Sequence, residues 1–141
     1  MALAGVRILV VDDDQAVHRL LEELLRFWGC EAVALADNGR EGVEKYEAFR
    51  PHVVLMDMDM PVMNGYEASR AIMELDPKAG IVILTGMPQS RLAARTLEQG
   101  LARVVIPKPF RFDQLEMAIQ EALRKRGEAV GAGIRQGAVA S

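Results

Sequence analysis

The chain has 141 residues, half of them hydrophobic and 26% charged, with a formal net charge of -3. That is one domain's worth of chain with enough apolar surface for a core, and its mild acidity counts against a nucleic-acid surface, which needs clustered Lys and Arg. Cys30 is the single cysteine, which excludes an internal disulfide and fits a reducing compartment. No apolar run reaches the ~18 residues of a membrane span, and "MALAGVR" lacks the order of a secretion signal, so a cytoplasmic location is the expectation.

Along the chain, "VRILVV" (6–11) is a short, β-branched, continuous apolar run of the kind that forms a strand buried on both faces. A helix follows in "QAVHRLLEELLRFWG", where Val17, Leu20, Leu21, Leu24, Leu25 and Trp28 share one face and Gly29 stops it. His18 falls on the polar side of that helix, where an exposed ring is expected; His18 and His52 are too few and too far apart for a metal site. "CEAVAL" (30–35) is the second strand, with Cys30 read as a small buried hydrophobe at its start. After the "DNG" turn (37–39), Val43, Tyr46 and Phe49 mark a second helix, and "HVVLM" (52–56) is the third strand. Asn64-Gly65 reads as a turn, followed by a helix through Ala68, Ala71, Ile72 and Leu75 that ends at "DPKAG". "GIVILT" (80–85) is a fourth strand, Leu92, Thr96 and Leu97 mark a fourth helix, and "RVVI" (103–106) is a fifth strand. Phe112, Leu115, Ile119, Ala122 and Leu123 mark the last helix. The Arg91 and Arg95 face is expected to be solvated, with contact to an acidic partner as the alternative.

Strand and helix alternating five times predict a doubly wound α/β sandwich with a parallel sheet, residues 1–126. Residues 127–141 are small, Gly-rich and unpatterned, and read as a tail or the start of a linker.

In such a sheet, ligands bind at the C-terminal ends of the strands. Those ends carry Asp12, Asp13 and Asp14, then Asp57 with Asp59 just beyond, then Thr85 and Gly86, then Lys108 and Pro109. Clustered carboxylates repel one another unless a positive charge sits among them, and oxygen ligands with a nearby phosphate suit Mg²⁺. Lys108 offers a point charge and Thr85 a short donor for phosphoryl oxygens, and Asp57 is placed as the nucleophile that becomes an aspartyl phosphate. Asp14 doubles as a helix N-cap. The methionines at 56, 58, 60 and 63 read as core and loop packing.

Over residues 6–126 the sequence resembles the receiver domain of two-component response regulators, the CheY-like superfamily. The matching stretches are "ILVVDDD" (8–14), "LMDMDMPVMNG" (55–65), "ILTG" (83–86) and "PKPF" (107–110). The resemblance implies a flavodoxin-like fold: a five-stranded parallel sheet of order 2-1-3-4-5 flanked by five helices. It further implies Asp57 as phosphoacceptor, Asp13 and Asp57 as direct Mg²⁺ ligands, Asp12 as a ligand through water, and the backbone carbonyl of Asp59 as another. Thr85, Gly86 and Lys108 become the phosphoryl-binding and switch residues, with a cis peptide between Lys108 and Pro109. The implied donor is a sensor histidine kinase or a histidine phosphotransfer protein. The implied output is a downstream protein met through the face of helix 4, strand 5 and helix 5; neither nucleic acid nor membrane is implied, and a homodimer is open to the chain.

Two departures stand out. The position three residues before the lysine, usually Tyr or Phe, is Val105, so the usual aromatic rotation is absent. Gly100 comes one place early, as a one-residue insertion before the fifth strand would produce. A stand-alone receiver is expected, with a piece of a longer regulator or hybrid kinase as the alternative. Two other functions compete. A haloacid-dehalogenase-like phosphohydrolase also starts from a strand ending in DxD, but its acid pair follows the lysine, whereas here "DDD" comes first. A receiver-like interaction module that is never phosphorylated would have no use for the repelling acids.

Overall fold

Five strands and five helices alternate through residues 2–127, the range that the computed structural model describes, with side chains through Arg124. They are β1 (Arg7–Val11), α1 (Gln15–Phe27), β2 (Ala32–Ala36), α2 (Gly39–Phe49), β3 (Val53–Asp57), α3 (Gly65–Leu75), β4 (Ile81–Thr85), α4 (Arg91–Glu98), β5 (Val104–Pro107) and α5 (Phe112–Gly127). α5 takes in Gly127; the remainder of the expected tail lies outside the described residues.

The strands form one parallel sheet in the order β2-β1-β3-β4-β5. Alternation along each strand divides the core into two layers. Leu9 and Val11 of β1, Val54 and Met56 of β3 and Ile81 and Ile83 of β4 pack with Tyr46, Tyr66, Ile72 and Ala93 from α2, α3 and α4. Ile8 and Val10, Val53 and Leu55, Val82 and Leu84 pack on the opposite face with Leu21, Leu25, Leu115 and Ile119 from α1 and α5. Each such side chain contributes roughly 1.5–3 kcal/mol by leaving water. β3 and β4 are buried at every position, as continuous apolar runs should be, whereas the edge strands β2 and β5 are mostly half-buried. The expectation of two-sided burial therefore fails at both sheet edges, where only one neighbour covers the strand.

The second strand begins at Ala32, and Cys30 is half-buried in an isolated bridge to Ala4 ahead of it. In α1 the core face is His18, Leu21 and Leu25, while Leu20 is 43% exposed. Asn64-Gly65 is not a free-standing turn: Asn64 caps α3 in a reciprocal capping box with Glu67, and Gly65 is the first helical residue. Asp14, Asn38 and Ser90 cap α1, α2 and α4 with a side-chain oxygen that accepts a first-turn N–H. Met56 and Met58 are buried and Met60 and Met63 pack against the same layer.

The loop between β3 and α3 carries one strained residue. Val62 has φ of 71° and a side chain exposed at 66%. A β-branched residue in the left-handed region crowds its own carbonyl, at a cost of roughly 1–2 kcal/mol. Val62→Asn is expected to raise the unfolding free energy by about 1 kcal/mol in urea titrations followed by circular dichroism; an unchanged or lower midpoint would show that the valine side chain earns its place through packing.

Candidate functional site

The C-terminal edge of the sheet collects the candidate residues because parallel strands all point their carboxyl ends the same way. Asp12 follows β1 directly and Asp57 ends β3, the strand beside it. Asp12 is 1% exposed and Asp57 6% exposed, while Asp13 is exposed. One carboxylate oxygen from each of Asp12, Asp13 and Asp57 falls within a cluster no more than 4.8 Å across, the one such acidic group among the described residues.

Lys108 reaches this cluster from the end of β5. Its Nζ donates to Asp12 Oδ2 at 2.8 Å and to Asp57 Oδ1 at 3.1 Å. The lysine is held in place by its own backbone, whose N–H donates to the Thr85 carbonyl at 2.8 Å, and the following bond to Pro109 is cis, as expected. Asp12 is fixed from the other side, since its Oδ1 accepts the Asp14 N–H at 2.9 Å and its own N–H donates to Ala36 at 3.0 Å. Asp14 caps α1 through the Ala16 N–H, as expected.

The electrostatics of the cluster are unbalanced. The pKa of Asp57 is pushed up to about 6, by burial first and by the Asp12 charge second, with Lys108 offsetting only part of this. Burial works against the charge on Lys108, but hydrogen bonds and attraction from Asp12 and Asp57 outweigh it and hold that pKa above its usual value. The lysine therefore stays cationic, and the acids remain in excess. An all-oxygen donor set with surplus negative charge fits a small hard divalent cation.

The loop after Asp57 is seated by a close approach. A Cβ on Gly65 would collide with the Asp57 carbonyl oxygen, and the Gly65 N–H donates to the Met58 carbonyl at 2.9 Å. Only glycine lets α3 begin this near the end of β3. Asp59, two residues on, is exposed.

The remaining candidates share the same edge with different constraints. Thr85 is fully buried and its Oγ1 accepts the Met87 N–H at 3.0 Å. Gly86 is exposed, and a Cβ there would meet nothing within 4 Å, so packing within the chain does not require glycine at this position. Val105, half-buried, packs against the layer that contains α3 and α4. Gly100, at φ of 74°, turns the chain after α4. Arg95 is not merely solvated: its guanidinium lies 5.2 Å from the centroid of the Tyr66 ring, whose hydroxyl donates to Gln99 at 3.0 Å.

One expectation is overturned. His18 is 3% exposed, not solvent-facing, and its Nε2 lies 3.1 Å from the Ala36 carbonyl at the end of β2. Its spacing to Leu21 and Leu25 was the signal: the three positions share a helical face, and only the polarity of the ring argues otherwise.

The doubly wound sheet thus carries an acid cluster and a lysine together at its topological switch, between β1 and β3. The family model for the response regulator receiver domain matches residues 8–120. The chemotaxis protein CheY of Thermotoga maritima is 38% identical over 121 residues, covering 86% of this chain and 97% of that protein. A receiver domain protein of Methanospirillum hungatei superposes with a TM-score of 0.82 at 29% identity, over 89% of this chain and 99% of that one. The receiver domain of a sensor histidine kinase from Pseudomonas aeruginosa, solved with a magnesium ion in its active-site cleft, gives 0.76 at 30% identity, over 85% and 98%. The chain belongs to the response regulator receiver domain family of two-component systems.

A stability test follows from the shifted carboxyl. The folded pKa of Asp57, about 6, lies above the ordinary value of 3.8, so the folded state holds a proton that the unfolded state releases between these pH values. Stability from this group is complete below about pH 4 and is lost as pH rises through 6. In metal-free buffer Asp57→Asn is expected to be more stable than the parent at pH 7.5 by on the order of 1–3 kcal/mol, with the gap closing towards pH 4. Urea midpoints at both pH values check this; a gap that does not change with pH would place the strain elsewhere.

Proposed function

We propose that the chain is a phosphorelay receiver that takes a phosphoryl group onto Asp57 in a Mg²⁺-dependent reaction and signals by a conformational shift. The observation that carries this reading is the convergence of Asp12, Asp13, Asp57 and Lys108 on one sheet edge with acids in excess. A carboxylate oxygen of Asp57 attacks phosphorus of a phosphohistidine, the new P–O bond replaces the P–N bond, and the imidazole leaves with the electron pair. Asp13 and Asp57, with the Asp59 carbonyl, would hold Mg²⁺ directly and Asp12 through water, and the cation would supply positive charge to the phosphoryl oxygens. Lys108 follows the new charge, and the Thr85 hydroxyl, now paired with the Met87 amide, turns to donate to it, with Gly86 leaving the approach open. Movement of Thr85 shifts the population of the α4–β5 region, and Val105 in place of an aromatic makes that shift smaller or differently placed.

On this reading the chain is a signalling domain that catalyses only its own phosphorylation and dephosphorylation. A sensor histidine kinase or a phosphotransfer protein is the donor, working in the cytoplasm, where a single half-buried thiol is at ease. The output partner is a protein that meets the α4–β5–α5 face, where β5 and α5 border a groove with both apolar lining (Val104, Ile106, Met117) and charged lining (Glu116, Glu121, Arg124). A homodimer through that face is compatible with the groove.

Intact-protein mass spectrometry after incubation with acetyl phosphate and Mg²⁺ tests the core of the reading. One added phosphoryl group per chain is expected, and it should be lost in Asp57→Asn and in EDTA. No adduct, together with no binding of beryllofluoride and no consumption of acetyl phosphate, would leave an unphosphorylated interaction module. Rapid consumption without an adduct, abolished by Asp59→Asn, would instead mark a phosphohydrolase.

A further inference from the structure

His18 is the one buried histidine among the described residues, and the proposed phosphoryl chemistry makes no use of it. Its Nε2 is 3.1 Å from the Ala36 carbonyl oxygen. A carbonyl only accepts, so Nε2 carries the proton and donates. The same oxygen accepts the Asp12 N–H at 3.0 Å. Asp12 and His18 bracket the segment that carries all three consecutive acids, so both ends of the acid loop are tied to one oxygen atom at the end of β2. The surroundings of the ring are specified as well. Its Nδ1 faces the Asp37 carboxylate at 3.7 Å, and Gln15 holds that carboxylate at 3.0 Å from the first turn of α1.

We infer that His18 is a positioning residue for the Asp12–Asp14 loop, acting through the Ala36 carbonyl and touching neither the acceptor nor a phosphoryl group. Mutual repulsion drives Asp12, Asp13 and Asp57 apart. The β1 side of the loop is fixed by the sheet, but its α1 side is joined to the sheet by apolar contacts, which are non-directional, and by this one buried hydrogen bond. Without the ring donor, the first turn of α1 keeps only its apolar contacts, the exposed Gln15–Asp37 bond and the Asp14–Asp12 bond within the loop, and the carboxylates have more room to spread. The tether itself does not depend on phosphorylation; only its consequence for cation binding rests on the function proposed above.

The test compares His18→Leu and His18→Gln in the full chain. Leucine keeps apolar bulk without a donor, and glutamine restores an N–H. Amide hydrogen exchange in Mg²⁺-free buffer is expected to quicken about tenfold at residues 12–16 in His18→Leu, with α5 amides as the control for global stability, and to stay within about twofold of the parent in His18→Gln. The Mg²⁺ dissociation constant by titration calorimetry should weaken about tenfold in His18→Leu and recover in His18→Gln, the scale usual for a group that supports a metal ligand from behind. Unchanged exchange at 12–16 in His18→Leu, or equal loosening in both variants, would overturn the inference. His18→Met takes the place of His18→Leu should that variant not fold. A parent chain that binds no Mg²⁺ would count against the cation reading alone, because the exchange comparison decides the tether without metal.

Discussion

Two carboxylates, almost wholly removed from water, are held side by side against their repulsion, and the ammonium group that joins them comes from the far side of the sheet. Asp12 and Asp57 stand on neighbouring strands; Lys108 arrives from two strands further on. The arrangement is stable only as a set. Taking away the lysine would leave uncompensated buried charge, and a buried ion pair broken on one side costs several kcal/mol. Burial, and after it the Asp12 charge, raises the pKa of Asp57, and a single lysine faces the two buried acids. A pocket with surplus acid suits added positive charge.

The fold bears this strain through backbone devices placed where the strands end. Gly65 lets α3 start against the Asp57 carbonyl, the Asn64–Glu67 capping box fixes that start, and Asp14 closes the first turn of α1 beside the acids. These devices work on peptide groups, not on the reacting side chains. The site is therefore rigid in its frame, while Asp13, Asp59 and Gly86 remain open to solvent and to a partner. Among the described residues two non-glycine positions have positive φ, Arg50 at the end of α2 and Val62; the β-branched Val62 is the more strained, and it lies in the loop that follows Asp57.

Much of this was legible in the sequence because the signals were of the right length scale. Continuous apolar runs separated by helical periodicity give the alternation of elements, and the positions just beyond each run give the site. What was lost concerns context. β2 and β5 have runs like those of β3 and β4, yet a run does not say which strand has a neighbour on only one side. Asn-Gly is a turn signal wherever it falls, and only the helix that follows turns Asn64 into a cap. His18 was misread because a polarity rule was applied to a position that periodicity already placed with Leu21 and Leu25; its hydrogen bond is made to a carbonyl 18 residues away, which no local pattern reveals. Leu20 is the converse case, an apolar residue counted into the core face that remains largely in water.

The placement of Lys108 has a mechanical consequence. β5 borders the sheet and at four residues is its shortest strand, with one buried position, yet the residue that follows it carries the cation that the two inner acids share. The ion pair thus acts as a rivet, fastening a loose margin to the centre of the sheet at a single point. Any event that draws the ammonium away from Asp12, or gives it a stronger anion to follow, alters the tension along that margin before any side chain in the core has moved. A change of charge at the middle of the sheet therefore bears directly on what holds its border strand.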